Sequence, residues 1–106
     1  MADTASRLYG PTQLGTGAAT IYTSPASTIT IVRHILACNT AAVAVTLTMS
    51  VGADAVGTRF VHQISIAPKV TWEWKGFLVL AAAETIQAYS DTASALTTVL
   101  NGVKIT

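Results

Sequence analysis

The sequence carries little charge for its length. Only 10% of its 106 residues are charged, compared with about 25% in an average soluble protein. Six Lys and Arg residues against five Asp and Glu residues leave a formal net charge of +1. A surface that binds nucleic acid or an anionic membrane needs a cluster of basic residues, which this composition lacks. We therefore expect no nucleic acid and no membrane among the partners.

Cysteine and long apolar runs are also scarce. Cys38 is the single cysteine, which excludes an internal disulfide and a cysteine-based zinc site. A free cysteine is usually a small buried hydrophobe, and we expect that here. No run approaches the roughly 18 consecutive apolar residues of a membrane-spanning helix. The N-terminus lacks the basic start and apolar centre of a secretory signal.

Catalytic and metal-binding motifs are missing as well. His34 and His62 lie far apart in the sequence, with no spacing that would join them to a third ligand, so no metal site is predicted. The G-x-S-x-G motif of serine hydrolases is absent. No helix pattern follows residues 15–17, so this Gly-Thr-Gly segment is not a phosphate-binding loop. We expect no enzyme activity and no cofactor.

Apolar residues, by contrast, make up 51% of the chain, and many of them alternate with polar ones. Between residues 43 and 51 every odd position is Val, Leu or Met, and the even positions are Ala, Thr or Ser. A period of two predicts a strand with one buried face and one solvent-exposed face. Thr suits the wet face because β-branched residues fit a pleated surface without adding charge.

The same pattern recurs along the chain and predicts seven or eight short strands about ten residues apart. They cover residues 18–23, 28–38, 43–51, 59–66, 70–80 with a break at Gly76, 85–90, 96–100 and 103–105. Alternation slips near Val32, which indicates a bulge or burial on both faces. Residues 39–42 are predicted to form a hairpin. This spacing is typical of a single antiparallel β-sandwich, and the lone cysteine favours a jelly-roll-like one over an immunoglobulin-like one.

Residues 1–17 differ from the rest because their apolar residues show no period. Several glycines and a proline separate them. We predict two regions: an extended N-terminal arm at residues 1–17 and a β-sandwich domain at residues 18–106. The arm residues expected to contact a partner are Arg7, Leu8, Tyr9 and Leu14.

Three aromatic residues are the remaining candidates for binding. Trp72 and Trp74 share a strand face with Val70, which favours a place in the core or at the centre of a protein interface. Together with Tyr89 they could instead form a platform for a glycan. We predict Trp72 and Trp74 as interface residues and keep the glycan platform as an alternative.

Four segments resemble a known group of proteins. They are residues 22–26, residues 30–35, residues 50–55 with 57–59, and residues 76–89. Over roughly residues 18–100 the chain resembles small virion proteins of tailed bacteriophages, particularly those of actinobacterial hosts. These are strand-and-turn patterns without a chemical signature, and the arm carries little of the likeness.

The resemblance implies a structural role. Members of this group are described as capsid decoration (cement) proteins or minor tail proteins. A decoration protein would be made in the host cytoplasm and bind the major capsid protein on the outer surface of the virion. It would commonly do so as a homotrimer. A minor tail or fibre protein is the first alternative, and a glycan- or receptor-binding module is the second.

Overall fold

The structure is a computed structural model that describes residues 3–106, and it consists of eight antiparallel strands. The strands are β1 (Asp3–Gln13), β2 (Ala19–Thr23), β3 (Ile29–Asn39), β4 (Val45–Val51), β5 (Arg59–Ile66), β6 (Thr71–Leu80), β7 (Thr85–Ser90) and β8 (Leu96–Ile105). A 3-10 turn at Val56–Thr58 is the only helical segment in that range. The predicted all-β fold is confirmed.

The strands form two four-stranded sheets. The first sheet has the order β1-β8-β3-β6 and the second sheet has the order β2-β7-β4-β5. Pairing is nested, since β1 pairs with β8, β2 with β7, β3 with β6 and β4 with β5. Only the β4–β5 connection joins neighbours within a sheet, and every other connection crosses between the sheets.

Inward side chains of both sheets form one core, which confirms the sandwich. Period-two alternation puts every second residue of a strand on this inner side. The buried hydrophobic residues are Leu14, Tyr22, Val32, Ile35, Ala37, Val45, Leu47, Met49, Val61, Ile66, Leu80, Ile86, Ala88, Ala95, Leu96 and Leu100. Of the odd positions predicted to face inward, Val45, Leu47 and Met49 are buried, whereas Val51 is half-buried and Val43 is 59% exposed before the strand begins. Thr48 and Ser50 on the other face of β4 are also buried, so the prediction that this face is solvent-exposed is wrong.

The connection after β3 is not the predicted hairpin at residues 39–42, because β3 and β4 belong to different sheets. The fully buried Asn39 side chain stabilises this crossing. Its Nδ2 donates to the carbonyls of Val43, Ile66 and Ala67, and its Oδ1 accepts from the amide of Ala41. A buried amide with all these partners links the end of the first sheet to the end of β5 in the second.

The predicted N-terminal arm is a strand of the sandwich, so the boundary at residue 18 is wrong. From Asp3 to Gln13 the chain pairs with β8, with register shifts between Arg7 and Tyr9 and between Tyr9 and Thr12. These irregularities remove the simple alternation, which is why the sequence pattern did not predict a strand. Residues 1 and 2 of the predicted arm lie outside the described residues.

Two predicted interruptions are absent and one is present. The register shift between Val32 and His34 confirms the predicted bulge in β3. Gly76 does not end its strand, because β6 continues through it. Gly102 lies within a continuous β8, where an added Cβ would stand 2.1 Å from the carbonyl oxygen of Ile31 on β3. Glycine there permits the close approach of two central strands.

Candidate interaction surfaces

The structure divides the predicted arm residues between the core and the surface. Arg7 is exposed on β1, while Leu8 and Tyr9 are half-buried and pack against the core. Leu14 is only 3% exposed, and its backbone bonds to Leu96 and Ser94 at 3.0 and 3.2 Å. Of these four predicted contact residues, Arg7 alone presents an exposed side chain. Leu14 is a core residue.

Trp72 and Trp74 lie on the inner side of β6 and pack against the core. The Trp74 ring meets Phe60 of β5 at a centroid distance of 6.4 Å and an interplanar angle of 58°. It also covers Gly76, where a Cβ would stand 2.5 Å from the ring. Since β5 and β6 are edge strands of opposite sheets, this aromatic pair closes one side of the sandwich.

Tyr89 lies on the other sheet and on its outer side. It is the register partner of Thr48, and the Arg59 guanidinium sits 5.8 Å from its ring centroid. The two tryptophans face inward from the first sheet, so no common surface joins the three aromatics. The aromatic platform considered from the sequence is not formed.

The outer side of the first sheet carries an apolar surface that the sequence analysis did not single out. Its register rows place Ile105 beside Ile29, and they place Ile31 between Val103 and Val79. Phe77 lies on the same outer side of β6. We call these six side chains the apolar patch: Ile29, Ile31, Phe77, Val79, Val103 and Ile105. Phe77 is 64% exposed, Val79 50% and Ile29 46%.

The signal for this patch was present in the sequence. Residues 77–80 are apolar at every position, and residues 28–38 carry apolar side chains on both faces. Such runs occur in strands that are covered on both sides. Leu36, Val99 and Cys38 extend apolar character along the same outer side, where all three are half-buried. The expectation that Cys38 is buried is therefore wrong.

Next to the apolar patch, a row of polar side chains crosses the outer side of the first sheet. We call it the polar row, and it includes Arg7, Asn101, His34, Glu73 and Lys75. The Glu73 carboxylate lies 2.6 Å from His34 Nε2 and 3.8 Å from Lys75 Nζ. Asn101 Nδ2 lies 3.3 Å from His34 Nδ1. An Nε2-protonated ring would donate to Glu73 and accept from Asn101. The hydrogen bond from His34, assisted by the Lys75 charge, lowers the pKa of Glu73 despite partial desolvation.

The same row contains further cations. Arg7 and Lys75 are register neighbours of Asn101 and His34, on β1 and β6. The Arg33 guanidinium lies 5.8 Å from the Phe77 ring centroid, which is within cation–π range. The row therefore bounds the apolar patch with positive charge on the side away from Ile29 and Ile105.

The outer side of the second sheet is polar and internally paired. Arg59 forms two bonds to the Asp54 carboxylate, Nε to Oδ1 at 2.9 Å and Nη2 to Oδ2 at 3.0 Å. The same guanidinium contacts the Tyr89 hydroxyl at 3.0 Å and His62 Nδ1 at 3.1 Å. The hydrogen bond from Arg59 lowers the pKa of Asp54 against a desolvation effect that raises it.

This network fastens the loop after β4 to the sheet. The Asp54 amide donates to Gln87 Oε1 at 3.0 Å, and Gln87 Nε2 lies 3.4 Å from Thr20 Oγ1. The network spans β2, β7 and β5 and satisfies its charges within the chain. We call it the Arg59 network, comprising Thr20, Asp54, Arg59, His62, Gln87 and Tyr89.

Residues 3–106 offer few other kinds of site. No group of three His, Cys, Asp or Glu side chains is arranged to hold a metal ion there, and no ligand-sized cavity was found. Within the same range no helix is long and apolar enough to cross a membrane. Comparison with protein-family models, curated proteins and solved structures found no match.

Proposed function

We propose that this protein is a structural subunit of a tailed-phage virion, and specifically a capsid decoration protein that stabilises the outer surface of the major capsid shell. The observation that carries the proposal is the apolar outer side of the first sheet. A freely dissolved monomer rarely exposes a contiguous apolar surface of more than a few hundred Å². Phe77, Val79 and Ile29 are about half exposed or more, and all three lie on this outer side, on the paired strands β6 and β3.

The low charge supports the same proposal. An assembly is destabilised if its interface buries unpaired charges, because desolvation of an ion is costly. On the first sheet most of the charges lie in one row, with Asp3 outside it, and on the second sheet Arg59 and Asp54 are paired within the Arg59 network. The apolar patch itself carries no charged side chain, so another protein can cover it without burying an unpaired charge.

The nested strand pairing supports the finer assignment of the sandwich to the jelly-roll class. Jelly rolls have eight strands in two sheets and occur in viral capsid proteins. The capsid location rests on the resemblance of residues 18–100 to phage virion proteins. A fold by itself does not determine function.

The test is addition of the purified chain to undecorated shells of its phage, followed by measurement of bound copies per particle. A decoration protein binds at a large copy number fixed by the shell symmetry. Binding in a few copies at the tail end contradicts decoration and assigns the chain to the tail. No binding to any part of the particle contradicts the virion role altogether.

Surface variants should be tested in the same binding assay. Deleting residues 1–17 is unsuitable, because it would remove β1 from the first sheet and disturb the fold together with any binding. The informative pair is Phe77→Thr with Val79→Thr on the sheet, against Val43→Thr with Val56→Thr in exposed loops. Both doubles remove exposed apolar atoms, but only the first alters the surface that carries the proposal.

A further inference from the structure

The edge strand β6 of the first sheet has the features of a strand that accepts another strand. Among the described strands it pairs with β3 alone, so its other edge carries no strand. It runs for ten residues, along which exposed and less exposed side chains alternate without interruption. We propose that β6 of a second copy of this chain pairs antiparallel with it and joins the two first sheets into one. This goes beyond the proposed function and does not rest on it, because it concerns the sheet edge and not the apolar patch.

The other three edge strands are poorer templates for pairing. β1 contains Pro11, which has no amide hydrogen, and two register shifts. β2 is only five residues long, and β5 has two register shifts and a positive φ of 46° at Gln63. Short strands, prolines and bulges are the usual means by which sheet edges avoid pairing. β6 contains no proline, and its one register shift against β3 lies between Lys75 and Leu78.

Backbone hydrogen bonds show which groups of β6 point to the free edge. The Asn39 amide donates to the Val70 carbonyl at 2.9 Å, which directs Val70 and the even-numbered residues after it toward β3. Hydrogen-bonding direction alternates from residue to residue in an antiparallel ladder. The amides and carbonyls of Thr71, Glu73 and Lys75 therefore point away from β3. These are the groups that a second strand would bond.

Charge selects the register of the pair. With a two-fold axis through Trp74, perpendicular to the sheet, Glu73 lies opposite Lys75 of the second copy, and Lys75 lies opposite its Glu73. The contact is isologous, so each ion pair occurs twice. An axis through Lys75 or through Glu73 would instead oppose two like charges, which destabilises a cross-strand pair. We therefore expect the register centred on Trp74.

Both charged side chains are accessible for this pairing. Lys75 is 74% exposed and Glu73 is 48% exposed. Glu73 Oε2 lies 2.6 Å from His34 Nε2, whereas Glu73 Oε1 lies 3.8 Å from Lys75 Nζ of its own chain, beyond hydrogen-bond distance. Oε1 can therefore accept a hydrogen bond from Lys75 of the second copy while Oε2 keeps its bond to His34.

The same register covers the two tryptophans. Trp72 and Trp74 are only half-buried, although they lie on the inner side of β6. At the axis Trp74 lies opposite Trp74 of the second copy. Trp72 lies opposite Gly76, which is covered by the Trp74 ring of the same copy. Aromatic cross-strand pairs stabilise antiparallel strands, and tryptophan is enriched at the energetic centre of interfaces. The proposal thus keeps Trp72 and Trp74 as interface residues, at the edge of the sheet.

The experiment is sedimentation equilibrium of the purified full chain and of two charge variants. We expect a monomer–dimer equilibrium for the unaltered protein. Glu73→Lys gives β6 two positive residues and Lys75→Glu gives it two negative ones, so each variant should raise the dissociation constant at least about tenfold. An equimolar mixture of the two variants should form a heterodimer, because opposite charges then meet at every position. Circular dichroism checks that both variants are folded.

A control variant and a second readout separate the edge from the outer side of the sheet. Ile29→Thr alters the apolar patch on β3 and leaves β6 intact, so it should not change the dissociation constant. Hydrogen exchange reports on the edge directly. The amides of Thr71, Glu73 and Lys75 should exchange slowly only at concentrations at which the dimer forms. The Trp74 amide, which points toward β3, should exchange slowly at all concentrations.

Several outcomes would overturn the proposal. A monomer over the whole concentration range contradicts it, as does the homotrimer that the resemblance implied. A dimer that Ile29→Thr abolishes would assign the contact to the apolar patch. A mixture of the two charge variants that stays monomeric would refute the register centred on Trp74.

Shell binding is measured separately, which keeps the two proposals distinguishable. A monomer that still decorates shells refutes only this inference. An edge-paired dimer that binds no part of the virion refutes only the proposed function.

Discussion

The outer sides of the two sheets are both nearly neutral, but for different structural reasons. On the first sheet neutrality comes from apolar side chains, with Phe77 and Val79 exposed to solvent. On the second sheet it comes from pairing, since Arg59 binds both oxygens of Asp54 and also contacts Tyr89. The same low charge fraction therefore has two structural origins.

The difference has a consequence for association. Polar groups of the Arg59 network are satisfied within the chain, so covering them brings no new hydrogen bonds. The apolar patch, in contrast, gains about 25 cal/mol for each Å² removed from water. We therefore expect association through the first sheet and a self-contained second sheet.

The largest effect is expected from Gly102→Ala, which disturbs the packing of the first sheet. The added Cβ would stand 2.1 Å from the Ile31 carbonyl oxygen, so β3 and β8 must separate. We expect a loss of at least about 2 kcal/mol in the free energy of unfolding, measured by urea denaturation. Gly57→Ala is the matched control near the second sheet, because a Cβ there meets open space. Equal stabilities for the two variants would contradict the close packing at Gly102.

A smaller effect is expected from Arg59→Met, which breaks the pairing on the second sheet. Asp54 loses its bidentate partner, and the loop held by the Asp54–Gln87 hydrogen bond should open more often. We expect a lower urea midpoint and faster hydrogen exchange of the Asp54 amide. Lys75→Met on the first sheet is the control, because its 3.8 Å contact to Glu73 is exposed and weak. An Arg59→Met protein with unchanged loop exchange would show that the network does not hold the loop.

The smallest effect concerns two carboxyl pKa values, one on each sheet. Glu73 and Asp54 both titrate below their ordinary values because His34 and Arg59 hydrogen-bond to them. A depressed pKa in the folded state stabilises the fold above the ordinary carboxyl range of about 4. That contribution disappears as the pH falls through the folded-state pKa values.

NMR titration of the two carboxyl carbons measures this directly. His34→Leu removes both ring nitrogens and should raise the pKa of Glu73 toward its ordinary value, while Asp54 stays where it is. A shift at both carboxyls would mean that the two outer sides are electrostatically coupled, contrary to their separation on opposite sheets.

Strand positions were largely predictable because alternation is a local property. The odd positions of β4 and the shared face of Trp72 and Trp74 follow from a period of two. β1 was missed because two register shifts hide its alternation. The hairpin predicted at residues 39–42 failed for a different reason, since a turn pattern does not tell whether the next strand joins the same sheet.

The candidate surface was harder to predict than the strands. Ile29, Phe77 and Val103 lie far apart in the sequence, and each belongs to a strand that already has a buried side. Their assembly into one patch depends on β8 lying between β1 and β3, with β6 at the edge. The apolar runs near residues 31 and 77 indicated that both faces of these strands are covered. They did not indicate what covers the face that points away from the core.

The sequence by itself determined that the chain is all-β, nearly neutral and short of catalytic motifs, because composition and period-two alternation need no knowledge of distant contacts. Only the tertiary structure decided that the N-terminal segment is a strand, that the tryptophans face inward, and that one outer side is apolar while the other is paired. Register between strands far apart in the chain produces these features. It is set by the packing of the two sheets around a common core, which no local pattern encodes.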